Sequence, residues 1–336
     1  MGPASFGKLA VVQPLPGIGD MIWHLPHIRA LAAAAAGGRV TLVAKPRSGA
    51  DQLFAGDGAV GDVLWMDRNP EGRRGRHDGP LGMLRLIGAL RARRFDSVVL
   101  LHHSDSLAFA LRAAGIPRRF GYGVGGQRWL LNRQPFLPPA TRGVHPLEQA
   151  TAFLAALGLP PGEAEPCLAV DAATRAAALE RLALPGPFPA FGIGSSEPSK
   201  QWGAERFAAL AAALLRQGWP GVALVGGPAE AGLAEAIRAA LGAEAARAVP
   251  VLGWRLDAVA ALLSAADFYV GNDTGMLNLA AAVGRPAFGL FGATPPLSHS
   301  RTIVPILPAC GAGMARIAVP AVLAALPPFP GVRHQA

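Results

Sequence analysis

Asp20 closes the run Pro14-Leu15-Pro16-Gly17-Ile18-Gly19-Asp20, directly after an apolar stretch at residues 8–13. A carboxylate at the end of a glycine-rich turn can take a proton from a hydroxyl. The same position also suits a helix N-cap, and the residues alone leave both readings open. A second group lies in the other half of the chain. Ser195, Ser196 and Lys200 follow one apolar stretch, Asp273, Thr274 and Gly275 follow another, and Thr294 follows a third. Hydroxyls, one ammonium and the N–H groups of a helix opened by Thr274 and Gly275 suit a diphosphate. Glu230 and Asp273 are acceptors matched to ribose or sugar hydroxyls. The charge of a leaving diphosphate would be met by Lys200 and oriented amides.

A third group is basic. Arg68, Arg73, Arg74, Arg76, Arg85, Arg91, Arg93 and Arg94 are opposed in that span only by Glu71 and Asp78. They form either a solvated face or a contact for an anionic acceptor or anionic lipid head groups. No aromatic residues interleave them, so a nucleic-acid groove is not expected. His102 and His103 end a strand. Adjacent strand residues point to opposite faces, so one of them can line a cleft, but the pair does not readily share a metal.

Several chemistries are excluded by pattern. Gly17-x-Gly19 has Ile22 where a dinucleotide fingerprint needs its third glycine, and Lys45-Pro46 rather than an acid follows the second strand. There is no Walker A sequence, and no Asp-x-Asp pair to hold a metal-bound diphosphate. Cys167 and Cys310 lack metal-site spacing and are read as free thiols; no metal and no cofactor is expected.

The elements that must position these groups fall into two series. In the first, strands at 8–13, 39–44, 62–66 and 97–101 alternate with a helix at 21–36 and an amphipathic helix at 81–94 carrying Leu84, Ile87 and Leu90 on one side. A loop spans 68–80, a strand and loop occupy 118–133, and a helix runs from 145 to 157. Residues 158–166 are rich in Pro and Gly and mark a boundary. The second series has strands at 189–193, 221–226, 249–252, 266–271 and 287–291, and helices at 204–217, 230–241, 256–265 and 276–283. The polar turns all follow strands, so each series should gather them at one sheet edge, where open α/β sheets bind ligands. The domains expected are 1–165 and 166–320, with a C-terminal helix and tail at 321–336.

At 336 residues, half apolar and only 16% charged, the chain can fill two cores. Its formal charge of +9 favours anionic partners. No signal-peptide pattern opens it, and the alanines at 32–36 are too few to span a bilayer, so a cytoplasmic protein is expected.

Four stretches together resemble glycosyltransferase family 9, the ADP-heptose:lipopolysaccharide heptosyltransferases. They are Gly17-Ile18-Gly19-Asp20 with His24-Leu25-Pro26; Pro198-Ser199-Lys200-Gln201-Trp202 with Glu205-Arg206-Phe207; Leu224-Val225-Gly226-Gly227-Pro228-Ala229-Glu230; and Asn272-Asp273-Thr274-Gly275 with Leu279-Ala280-Ala281-Ala282. The resemblance implies an α/β protein of GT-B fold, with two Rossmann-like doubly wound domains facing across a cleft. It implies an inverting, metal-independent transferase moving a sugar, heptose from ADP-heptose, to a lipopolysaccharide-core or related anionic glycan acceptor. Asp20 would be the general base and Lys200, with Ser195 and Ser196, would bind phosphate. Glu230 would face the ribose. Asp273, Thr274 and Gly275 would hold sugar and diphosphate, with Asn278 and Thr294 in the same donor site. Gly19, His24, Arg73, Arg74 and His102 would meet the acceptor, with a peripheral inner-membrane contact as a further expectation. Asn278 stands where the family usually has His, and Pro295-Pro296 where it often has Asp or Asn. A nucleotide-sugar epimerase or hydrolase, and a non-catalytic nucleotide-sugar-binding protein, are the competing readings.

Overall fold

The computed structural model describes residues 6–159, 165–195, 197–296 and 300–330. The chain divides into two compact units, 1–166 and 167–336.

The first unit runs β1 (Leu9–Gln13), α1 (Ile18–Trp23), α2 (Leu25–Ala33), β2 (Val40–Ala44), α3 (Ala50–Leu53), β3 (Val60–Trp65), α4 (Gly79–Ala92), β4 (Ser97–Leu100), α5 (Asp105–Ala113), β5 (Arg118–Gly121) and α6 (Pro146–Ala156). Its strands form a parallel sheet in the order β3-β2-β1-β4-β5. Every residue of β1 and β4 is buried, as expected for parallel strands covered by helices on both faces. The chain leaves β1 towards β2 in one direction and returns to β4 on the other side. The crevice at the carboxyl ends of β1 and β4 is therefore the topological switch point.

The second unit repeats the plan with α7 (Ala172–Leu182), β6 (Ala190–Gly192), α8 (Ala204–Arg216), β7 (Val222–Gly226), α9 (Ala231–Leu241), β8 (Ala248–Leu252), α10 (Leu256–Ala265), β9 (Tyr269–Asn272), α11 (Gly275–Ala282), β10 (Ala287–Leu290), β11 (Ile303–Ile306) and α12 (Val319–Ala325). Its parallel sheet has the order β11-β10-β9-β6-β7-β8, with the switch point between β6 and β9. Aromatic rings fill the core: Trp202 meets Phe207 edge-on at 5.0 Å, and Trp219 meets Phe268 at 5.4 Å. Val322 of α12 lies in this same core, so the C-terminal helix is part of the second unit's packing. At the switch point the strands come close because two residues are Gly: a Cβ at Gly192 or at Gly271 would collide with the Tyr269 hydroxyl.

The helix expected at 21–36 starts earlier and is broken. α1 begins at Ile18, and Pro26, which has no N–H to give to Ile22, forces a new helix after His24. Leu84 is exposed; Leu86, with Ile87 and Leu90, makes the buried side of α4. α5, α7 and β11 arise where no element was expected. β11 is an edge strand, and its Pro305 costs no ladder bond there. Cys167 and Cys310 are free and exposed. Among the described residues no helix is long and apolar enough to cross a membrane.

Candidate active site

In the first unit Asp20 sits in the first turn of α1, three residues after the extended Gly17. It is not the N-cap. Its Oδ2 reaches back and accepts from the Gly17 N–H at 3.0 Å, satisfying one of the orphan donors at the helix start. Burial raises its carboxyl above its ordinary value, opposed by the Gly17 bond. His145 caps α6, its Nδ1 accepting from the Leu147 N–H at 3.3 Å. Its ring meets Trp23, one turn beyond Asp20, edge-on at 4.6 Å.

His24 stands behind Asp20. It has no exposed surface, and burial pushes its pKa down to about 4, so the ring is neutral at ordinary pH. Its Nδ1 lies 2.6 Å from the Asp20 carbonyl. A carbonyl only accepts, so Nδ1 carries the proton. The 3.4 Å approach of the Gln13 Nε2 to the same nitrogen is then no hydrogen bond. His24, expected to meet the acceptor, is therefore a buried support for the turn that carries Asp20.

A cavity of about 340 Å³ opens at the carboxyl ends of these strands, lined among others by Pro14, Lys45, Arg68, His102, Ser104 and Ser106. Arg68 is held by Ser106, to which its guanidinium donates at 3.2 Å, and by Asp78 at 3.7 Å. Burial, then His103 and Lys45, lower the pKa of His102. His103 has its ring against Tyr122 at 5.0 Å; both histidines lie beyond β4, which ends at Leu100, so the strand alternation expected for them does not apply. Arg73 and Arg74 are exposed and outside this lining, and Gly19 is buried within α1. Arg68 belongs to the basic group read from the sequence as a possible contact for an anionic acceptor; Lys45, Ser104 and Ser106 were not singled out. The signal for Lys45 and Ser104 was available: each follows a strand of the same sheet.

The second unit assembles the other group around Asp273. Its Oδ2 is 3.3 Å from the Lys200 Nζ and accepts from the Thr294 hydroxyl at 2.7 Å. It is not a helix cap; Thr274 occupies that position before α11. Lys200 also pairs with Glu197 at 3.0 Å. Burial disfavours its ammonium, but the bonds and charges of Glu197 and Asp273 outweigh that and raise its pKa. Ser195 orders the turn before it, donating to the Glu197 carbonyl at 2.9 Å; Ser196 lies outside the described residues. Glu230 folds back to accept from the Gly227 N–H at 2.7 Å, and its carboxyl group lies against Gly194. Asn278 donates to the Thr274 carbonyl at 3.3 Å, steadying the first turn of α11, where Gly275 is the first residue.

Asn272, quoted in a sequence motif but given no role there, ties these turns together. It is fully buried. Its Nδ2 donates to the Ile193 and Gly194 carbonyls, each at 3.1 Å, and to the Gln201 Oε1 at 3.2 Å, while its Oδ1 accepts from the Trp202 N–H at 3.1 Å. The end of β9 is thereby pinned to the end of β6 and to the turn carrying Lys200. Among the described residues no group of three or more His, Cys, Asp or Glu side chains is placed to hold a metal ion.

Comparison with known proteins agrees with this fold. Residues 83–306 match the family model of glycosyltransferase family 9 (heptosyltransferase). The chain is 28% identical over 244 residues to lipopolysaccharide heptosyltransferase 2 of Escherichia coli, covering 68% of this chain and 70% of that one. The structure of the E. coli ADP-heptose lipopolysaccharide heptosyltransferase II superposes with a TM-score of 0.76 at 25% identity, covering 94% of this chain and 96% of that one. E. coli heptosyltransferase WaaC with ADP-2-deoxy-2-fluoro heptose shares the fold, with a TM-score of 0.71 at 22% identity over 94% of this chain and 97% of that one. Two parallel doubly wound sheets, with a polar turn cluster at the switch point of the second and a carboxylate at the switch point of the first, thus belong to a glycosyltransferase of GT-B fold, and the chain is a member of glycosyltransferase family 9, the heptosyltransferases.

Proposed function

We propose that the protein transfers heptose from ADP-heptose to a lipopolysaccharide-core or related anionic glycan, with inversion and without a catalytic metal. The observation that carries this reading is the Lys200–Asp273–Thr294 cluster at the β6/β9 switch point. It supplies one ammonium, a hydroxyl and the start of a helix for a diphosphate, and carboxylates for sugar hydroxyls. The relatives' names supply the donor and the acceptor class: one is a lipopolysaccharide heptosyltransferase, and another was solved with an ADP-heptose analogue.

In the proposed step an acceptor hydroxyl oxygen attacks the anomeric carbon as the bond from that carbon to the diphosphate oxygen breaks. The hydroxyl proton passes to Asp20, and the electron pair of the broken bond leaves with ADP. Lys200 and the amides at the start of α11 meet the charge that develops there. Glu230 takes the ribose hydroxyls. The Lys45–Arg68–His102 cavity meets anionic groups of the acceptor. A nucleotide-sugar donor and a glycolipid acceptor call for a cytoplasmic enzyme working at the inner face of the membrane.

Asp20→Asn tests the base. Asn can still accept from Gly17, so the turn survives, while the base is lost. We expect kcat to fall by about 10²–10⁴ with ADP-heptose binding unchanged. The transferred sugar should show the opposite anomeric configuration by NMR. A variant within tenfold of wild-type turnover, or a retained configuration, overturns the mechanism. Release of ADP at full rate without acceptor would favour a hydrolase.

A further inference from the structure

We propose that Tyr269 is a positioning residue of the donor site, whose buried hydroxyl donates to the Thr274 hydroxyl oxygen when a diphosphate is bound and so keeps that side chain off the amides at the start of α11. The inference rests on the reading of this turn as a nucleotide-sugar site.

Tyr269 opens β9 and has no exposed surface. The next residue, Val270, belongs to the core that holds Trp202 and Trp219. Alternation along the strand therefore turns Tyr269 and Gly271 to the other face of the sheet. On that face Gly192 of β6 and Gly271 of β9 are partners in register. A Cβ at Gly271 would come within 2.6 Å of the Tyr269 hydroxyl oxygen, and one at Gly192 would strike it as well. The phenol thus lies along the sheet in a groove that the two glycines leave open. Its hydroxyl is carried two residues along the strand, to the level of Gly271 and towards the turn at Asp273 and Thr274.

That hydroxyl makes no hydrogen bond within the protein. Burial raises its pKa, opposed by the neighbouring Thr274 side chain, so the phenol keeps its proton. Asp273, the charge beside it, is already engaged by Lys200 and Thr294. The Thr274 oxygen is the acceptor within reach.

Thr274 for its part leaves its usual task undone. It is the N-cap of α11, with extended backbone, yet its side chain accepts no bond from the helix. A Thr in that place ordinarily accepts from the second or third helical N–H, here Met276 or Leu277. With the side chain elsewhere, the first amides of α11 face the turn uncapped. The buried donor and the idle cap explain each other. When a diphosphate oxygen takes the Thr274 proton, the Thr274 oxygen is left as an acceptor and the phenol donates to it. A hydroxyl that is unpaired in the empty site is then satisfied in the filled one, which adds to donor affinity.

The experiment is calorimetric titration of the full chain with ADP, with thermal unfolding beside it, on Tyr269→Phe, Thr274→Val and the pair. Tyr269→Phe should weaken ADP binding about fivefold. Its Tm should be unchanged or raised, since it removes an unpaired buried hydroxyl and frees Thr274 to cap α11. Thr274→Val should also weaken binding, and adding Tyr269→Phe to it should change nothing further, because the acceptor is gone. A Tm of Tyr269→Phe lower by more than about 2 °C, or losses that add in the pair, would overturn the inference by making the phenol a packing group. ADP binding that Tyr269→Phe leaves intact overturns the inference alone. A wild-type chain that binds no ADP overturns the donor-site reading and the inference with it.

Discussion

Replacing Asn272 by Ala removes four hydrogen bonds from a side chain with no exposed surface. The partners do not suffer equally. The Ile193 carbonyl still accepts from the Gln201 Nε2 at 2.9 Å, and the Gln201 Oε1 still accepts from the Gly203 N–H at 3.1 Å. The Trp202 N–H, fully buried, loses its acceptor. One orphaned buried donor costs about 1–3 kcal/mol, and each net bond lost adds about 1 kcal/mol, so about 3 kcal/mol in all is expected. For a unit of this size that is a fall in Tm of roughly 6–12 °C. Because the turn carrying Lys200 hangs on Trp202, ADP binding should also weaken. Asn272→Asp is the sharper comparison: it keeps an acceptor for Trp202 but sets a carboxylate against the Ile193 and Gly194 carbonyls, so it should be no milder than Ala. Thermal unfolding by circular dichroism and titration calorimetry with ADP read both effects. A Tm within about 2 °C of wild type, with ADP affinity unchanged, would refute the claim that this amide holds the switch point together.

Other consequences follow from the same geometry. Lys200→Met should weaken ADP binding at least tenfold by calorimetry, whereas Glu197→Gln should tighten it about twofold by freeing the ammonium from a half-exposed partner worth little on its own. Since burial raises the Asp20 carboxyl and the base must be ionised, kcat/KM should fall with decreasing pH from above the ordinary carboxylate range.

The family was legible because its motifs are local. Gly17 to Asp20, Pro198 to Trp202, Gly226 to Glu230 and Asn272 to Gly275 each need only a strand end and a turn, and their residues are contiguous. Most strands of both sheets were legible for a similar reason: a parallel strand buried on both faces is an unbroken apolar run. Elements with weak contrast were not. α7 is rich in alanine between charges, and β11 contains a proline that an edge position tolerates.

What the chain could state by itself is therefore which kinds of group follow which strand. The tertiary structure decided what each of those groups does there. It turned His24 inward as a support for the Asp20 carbonyl. It set Asp273 against Lys200 and Thr294, and it made Asn272 a pin across three segments. It also left Leu84 facing outward. Most of these outcomes depend on the spatial order of strands and on packing between residues tens of positions apart, and local periodicity carries no record of that order.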